Sequence, residues 1–245
     1  LDAFRHRRAE MSCAFDQEVF DQLASSTATS SYLDTKSTYL DQVDALLGST
    51  ETGAALPTAL SSFSTDLQTL AAQPDSTAAQ IQVVNSATVL SQTLNSLSST
   101  VSDLSDAVSV SISEGVDSVN RLTRQVSDLN AKIIQFRATG MDSTGLEDQR
   151  DQAILELSTY VDVQVKPQDD GSVRVSTGSG LTLVDNARAT QLTVDGKGDL
   201  RVDDGHGTGA ELIASGMIGS GSLKALYEVR DTVLPQVQSQ LDQVA

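Results

Sequence analysis

The residues of this chain that could do chemistry are two histidines, one cysteine and a few short clusters of charge or glycine. Their spacing supports little of it. His6 and His206 stand far apart in polar surroundings, and neither has the i, i+4 partner or the cysteine cluster that a zinc site needs. Cys13 is the one cysteine, so no disulfide forms within the chain, and a lone thiol in a helical stretch reads as a small apolar filler. Asp195-Gly-Lys-Gly-Asp199 with Asp203-Asp204-Gly205 has the acidic density of a calcium loop. Lys197 holds its third position, however, and no bidentate glutamate closes it, so turn chemistry between two strands is expected. Gly216-Met-Ile-Gly219-Ser-Gly221 precedes a helix and offers backbone N–H groups to an anion. It lacks the glycine order and the βαβ setting of a dinucleotide site, and is expected to act as a hinge.

Two charged clusters remain. Arg5, Arg7 and Arg8 with His6 form either a face for an acidic partner or a solvated terminus. In Leu146-Glu-Asp-Gln-Arg-Asp151, Arg150 follows Leu146 by four and so shares its apolar face. A guanidinium there needs a carboxylate or helix-end carbonyls for its five donors. Asp148 and Asp151 suit the first turns of a helix through its dipole. The expected role is a pinned helix start, or else a subunit contact. No catalytic, cofactor-binding or metal-binding residue is assigned, and the chain reads as a non-enzyme.

The elements around these clusters are mostly helical. Leu94, Leu97, Val101, Leu104 and Val108 recur at gaps of three and four, as do Val119, Leu122, Val126, Leu129, Ile133 and Phe136. That is a coiled-coil seam, with Ser, Asp, Thr and Gln at the other positions. The stripe runs from about Ile81, and a helix from Thr77 to Phe136 would span about 90 Å, against a radius of gyration of about 18 Å for a compact domain of this length. Between Val108 and Ile112 an extra gap of four makes a stutter, and the next seam position falls on Gly115. A first helix is expected over Phe15 to Leu47, burying Val19, Leu23, Leu33, Leu40, Val43 and Leu47 and ending at Gly48. A second is expected from Pro57 to Ala72, ended by Pro74, with Asp75 or Ser76 capping the third.

After Gly140 to Gly145 a fourth helix is expected from Leu146 to Tyr160. The period then changes to two. Val163, Val165, Val173, Val175, Leu181 and Leu183 flank an Asp169-Asp170-Gly171 hairpin signal, and Leu192, Val194, Leu200 and Val202 continue the strands. A last helix is expected over Ser222 to Ala245. The fold class is therefore α+β: an elongated antiparallel helical bundle over 1–160, completed by 222–245, with a small antiparallel β-domain inserted at 161–221. The β-lobe is expected to be removable without unfolding the bundle.

Composition narrows the function classes. With 33 acidic residues against 16 basic ones, the net charge of −17 argues against nucleic acid and anionic membranes. Aromatics make up 4% and tryptophan is absent, where enzyme pockets usually have more aromatic area. No apolar run is long enough to span a membrane, and no apolar stretch follows Arg8 as in a signal peptide. The chain reads as a fragment of something longer.

Leu146-Glu-Asp-Gln-Arg-Asp151, followed by Leu155-x-Leu157 and Val161-Asp-Val163, resembles a segment of the flagellar hook-associated protein 1 (FlgK) family. Three further stretches are similar to the same family in the same order. They are Ser31-Tyr32-Leu33-Asp34 through Leu46-Leu47-Gly48, Phe63 through Leu70-Ala71-Ala72-Gln73-Pro74, and Gly219 to Leu223 through Val229-Arg230-Asp231, Val233-Leu234-Pro235 and Gln240-Leu241-Asp242. The resemblance implies a structural protein at the hook–filament junction of the bacterial flagellum, exported by the flagellar type III pathway. It implies a ring of subunits with hook protein, a second junction protein, flagellin-side neighbours and an export chaperone as partners, and no cofactor. A coiled-coil signalling protein and another axial subunit, flagellin-like or hook-like, are the alternatives; the first predicts an uninterrupted helical hairpin.

Overall fold

A computed structural model of the chain describes the backbone of residues 2–47, 55–203 and 209–244, with side chains from residue 17 onward. The elements run α1 (Asp2–Leu47), α2 (Ala55–Ala72), α3 (Thr77–Ala138) and α4 (Thr144–Ser158), then six short strands, then α5 (Ser222–Glu228) and α6 (Leu234–Val244). The class is α+β, with long helices and a small antiparallel β-region. α1 begins at Asp2 rather than Phe15. No glycine or proline lies in residues 2–14 to stop it. The expected cap at Gly48 lies outside the described residues.

Contacts divide the chain into two compact units: residues 1–36 with 110–227, and residues 37–109 with 228–245. This division cuts α1 and α3. It does not follow the change from helix to strand at residue 161, where the sequence placed a boundary between bundle and β-insertion.

In the first unit the spine is α3 from residue 110. Ile112, Val119, Leu122, Val126 and Ile133 are at most 1% exposed. Gly140, at φ +72°, ends the helix, and Met141 N–H donates to Phe136 O at 2.9 Å across it. The strands form two sheets where one unit was expected. β1 (Gln164–Pro167), β2 (Val173–Ser176), β3 (Thr182–Asp185) and β4 (Arg188–Ala189) pair in that order, all antiparallel. β5 (Leu192–Val194) and β6 (Leu200–Val202) form a separate hairpin. Gly171, at φ +88°, turns the β1–β2 hairpin where the sequence put it.

Two asparagines on α3 bind the β-segment to the helix. Asn130 Nδ2 donates to Val173 O and Asn186 O, both at 2.8 Å, and its Oδ1 accepts Val173 N–H at 3.1 Å. About three turns earlier on the same face, Asn120 exchanges two 2.8 Å bonds with the backbone of Leu192. Both side chains are buried. The β-segment is therefore tied to α3 by buried side chains. Removing it would strip partners from buried amides, each costing about 1–3 kcal/mol when left unpaired.

The second unit is thinner. Its buried core consists of small residues, Ala59 on α2 and Ala79 on α3, with Val43, Leu90, Val101 and Leu241. Ser76 caps α3, its Oγ accepting Ala79 N–H at 3.3 Å. Ser98 and Gln238 hydrogen bond between α3 and α6. Ile81, expected at the start of the seam, is 57% exposed. The inward positions there are Ala79, Val83 and Leu90. The expected single helix after Ser222 is also interrupted, by a wide turn over Val229–Val233 in which Leu234 N–H reaches back five residues to Val229 O. Pro235 explains it. Its ring has no N–H for Asp231 O and crowds a normal turn, and a π-type turn just before it relieves the clash.

Replacing Asn130 by alanine should destabilise the chain by about 3 kcal/mol or more, since three backbone groups lose their partner. Urea unfolding checks this against Ser91→Ala, an exposed control on α3.

Candidate functional site

His6, Cys13 and Arg5 to Arg8 lie among the residues whose side chains are outside the described set, and His206, Asp204 and Gly205 lie outside it altogether. Among the described residues no group of histidine, cysteine or carboxylate side chains could hold a metal ion.

The aspartates of the supposed calcium loop are engaged by protein groups. Arg201 Nε donates to Asp195 Oδ2 at 2.6 Å, and its Nη2 to Asp199 Oδ2 at 3.2 Å. Asp195 Oδ1 accepts the N–H groups of Lys197 and Asp199. These bonds, led by the guanidinium, pull Asp195 down to about 2. The arrangement is a turn lock between β5 and β6, with Gly198 at φ +86°.

The glycine-rich stretch before α5 does cradle an anion, and the anion is the chain's own Asp162. One carboxylate oxygen accepts Gly178 N–H at 2.8 Å, and the other accepts Gly219 N–H at 2.9 Å and Ser220 N–H at 3.4 Å. A Cβ at Gly178 would stand 2.6 Å from the carboxylate. Sequence reasoning quoted Asp162 within Val161-Asp-Val163 but gave it no role. A carboxylate between two core valines, with a glycine run downstream, was the available signal.

Beside this cradle the chain crosses itself tightly. Gly221 N–H donates to Ala28 O on α1 at 3.1 Å, while Ser222 and Leu223 N–H donate to Thr159 O and Tyr160 O at the end of α4. The first turn of α5 thus satisfies the last turn of α4. Gly221 has φ +95°, and a Cβ there would meet Tyr160 O at 2.4 Å. Gly115, the glycine at the stutter, faces Leu223, whose Cδ2 would be 2.7 Å from an added Cβ. The stutter position is therefore a close-packing site within an unbroken α3.

Arg150 is buried as its apolar register implied, with Nε 3.3 Å from Asp151 Oδ1 and Nη1 3.0 Å from Gly171 O. The carbonyl belongs to the hairpin turn rather than to a helix end. Burial pushes the Asp151 carboxyl up, against the opposing pull of Arg150. Ser143 Oγ donates to Glu147 at 2.7 Å at the start of α4. The cluster pins helix to hairpin.

What stays unused in the structure is apolar and exposed. On α1 Ala24 and Ala28 are fully buried and Val43 is buried as expected, whereas Val19, Leu23, Leu33 and Leu40 are exposed. From Val19 to Leu40 that reverses the expected face. The close approach of Gly221 to Ala28 requires small residues inside, which leaves the large ones outside. Leu60 and Leu67 on α2, and Ile81, Val84 and Val89 on α3, are exposed as well. Outward apolar residues repeated along helices mark surfaces that something covers.

The family model described as the flagellar hook-associated protein FlgK helical domain matches residues 40–245. Flagellar hook-associated protein 1 of Salmonella typhimurium is 29% identical over 240 residues, covering 94% of this chain and 43% of that protein. The protein of the same name from Bacillus subtilis is 27% identical over 202 residues, covering 79% and 39%. A solved structure, the flagellar hook junction protein FlgK from Burkholderia pseudomallei, is similar with a TM-score of 0.78 and 26% identity, covering 90% of this chain and 41% of that one. These matches define a class, the helical domain of flagellar hook-associated proteins. The chain belongs to the FlgK family, and it spans less than half the length of the curated relatives named here.

Gly221→Ala should cost about 3 kcal/mol or more through backbone clash and positive φ together. Gly180→Ala, at φ +93° with nothing within 4 Å, should cost only about 1 kcal/mol. Urea denaturation of both variants separates the clash from the strain. Asp195 is ionised in the folded chain down to about pH 2, against 3.8 for its ordinary value. Its stabilising contribution is therefore present above about pH 4 and lost as pH falls toward 2. Asp195→Asn should lower the melting temperature at pH 5, with the gap to the parent chain closing at pH 2; a constant gap would contradict the assignment.

Proposed function

We propose that this chain is the helical segment of a structural subunit of the bacterial flagellum, acting at the junction between hook and filament and needed for filament assembly. The observation that carries the reading is the family match over residues 40–245. The outward apolar residues on α1, α2 and α3 support it, because a subunit of an assembly must keep apolar faces for its neighbours. Helical segments 1–160 and 222–245 carry load in this reading, and the β-rich stretch 161–221 braces the end of α3 through Asn120 and Asn130. The chain is not an enzyme: its polar clusters are spent on turns, helix ends and one hairpin anchor.

The partners follow from the place: hook protein on one side, a second junction protein and flagellin-side neighbours on the other, further copies around a ring, and an export chaperone before assembly. Nucleic acid and membrane are not partners. No described helix is long and apolar enough to cross a membrane. The location is the flagellum outside the cell, reached through the flagellar type III pathway. The signalling coiled-coil alternative predicts a helical hairpin without interruption, and six strands stand between α4 and α5.

Deleting the parent gene from its source bacterium should leave hooks without filaments under the electron microscope and flagellin shed into the medium, both reversed by restoring the gene. Normal filaments in the deletion strain would overturn the reading.

A further inference from the structure

The two compact units differ in what holds each of them together. Among the described residues, eleven of the twelve largest fully buried side chains lie within 110–227, and the twelfth is Val108. Every buried polar side chain, Asn120 and Asn130 included, lies within 110–227 as well. Residues 37–109 with 228–245 have neither support, only Ala59, Ala79 and a few aliphatic side chains. Their main helix is also weak in itself. Fifteen of the twenty residues in 83–102 are Ser, Thr, Val or Asn, all poorer helix formers than Ala or Leu. Thr88, Thr93 and Thr100 donate to carbonyls one turn back in the same helix, a bond that competes with the helical ladder. Charge adds to this, because 37–109 and 228–245 hold ten acids against one arginine, and like charges oppose compaction.

We propose that residues 37–109 with 228–245 open and reclose as one cooperative piece while 110–227 stays folded. α3 is then one continuous helix with two stabilities. The break between them falls at the stutter between Val108 and Ile112, where the division into units crosses the helix. A stutter interrupts the regular seam, so packing on one side of it does not reinforce packing on the other. Before the break the helix is held by a sparse core. Beyond it, Ile112, Val119, Leu122, Val126 and Ile133 are almost fully buried, and two buried amides bond to strand backbone. Opening the first stretch costs few buried groups, whereas opening the second strips both apolar cover and hydrogen-bond partners. Proteins open in contiguous pieces of unequal free energy, and the elements that rearrange come from the least stable pieces. Residues 37–109 with 228–245 are therefore the part of this chain able to refit while the rest keeps its shape. The inference goes beyond the assembly role and holds whatever neighbours the chain has.

Amide hydrogen exchange of the whole chain, read by mass spectrometry, tests this. Amides in 84–102 and in 236–244 should share one level of protection, at least about 100-fold below that of 116–133. Leu241→Ala, in the sparse core, should speed exchange in both of the weaker stretches by about tenfold or more and leave 116–133 unchanged. Complete loss of protection in those two stretches, with 116–133 still protected, is the same result in stronger form. Thr88 and Thr100 are exposed, so Thr88→Ala with Thr100→Ala should act in the other direction, slowing exchange several-fold in 84–102 and 236–244 together. Raising the salt to about 0.5 M should slow the same two stretches by screening their carboxylates. Equal protection along all of α3 would overturn the proposal. So would protection that fades gradually from Thr77 without 236–244 following, or a Leu241→Ala effect that reaches 116–133 equally. Exchange reads opening within the chain itself, so the filament experiment stands or falls separately from it.

Discussion

Most of the first unit depends on α3 between residues 112 and 133 being covered on two adjacent faces. One face is the apolar seam of Val119, Leu122, Val126, Leu129 and Ile133. The other follows it one residue later: Asn120, Thr123, Ser127 and Asn130, all at most 8% exposed. The two amides bond to the β-segment, while the hydroxyls of Thr123 and Ser127 donate to the carbonyls of Asn120 and Arg124 in their own helix. Buried polar groups without partners would be costly, so this second face fixes which backbone groups of the strands lie against it. The sheets are held in place by a pattern of bonds, with apolar packing from Val175, Leu183 and Leu192 around it.

That dependence shows what was legible in the sequence and why the rest was not. The seam period gave α3 almost to the residue, and Asp169-Asp170-Gly171 gave the first hairpin. Both are local signals. The polar stripe carried no such signal, because serine, threonine and asparagine between heptad positions usually face solvent. Yet the outermost positions of the same stretch carry Arg121, Arg124, Gln125 and Asp128, while the buried stripe is uncharged. Charge, rather than polarity, separates the face that meets protein from the face that meets water. The π-type turn before Pro235 belongs to the same lesson, since a proline in a helical period was visible and its effect on the preceding turn was not weighed.

The polar clusters taken up as possible sites turned out to serve the crossing of the chain with itself. Asp162 fills the glycine cradle, Arg201 fills the aspartate loop, and Arg150 ties α4 to the hairpin of β1 and β2. The aspartate loop does the turn chemistry expected of it, whereas the glycine stretch, expected as a hinge, is fastened by Asp162, a partner that spacing alone does not specify. A set of N–H groups suited to an anion is satisfied equally by a ligand or by an aspartate fifty-seven residues earlier in the chain. Such internal use leaves these clusters little capacity for chemistry, and shifts the search for function to the surfaces.

On the surface, α1 reverses the usual inference from an apolar stripe. Heptad spacing establishes that a helix has a partner, but not that the partner lies in the same chain. For α1 the described residues take the alanine face, because Gly221 N–H reaches Ala28 O, and the leucines stay exposed. The chain's strong negative charge then becomes informative. With a net charge of −17, charged side chains mark the faces that meet water, and an uncharged apolar stretch stands out against that background. Charge is unevenly spread along the helices: residues 22–33 and 76–102 carry none, and within 37–109 and 228–245 the single basic residue is Arg230, itself bonded to Asp231.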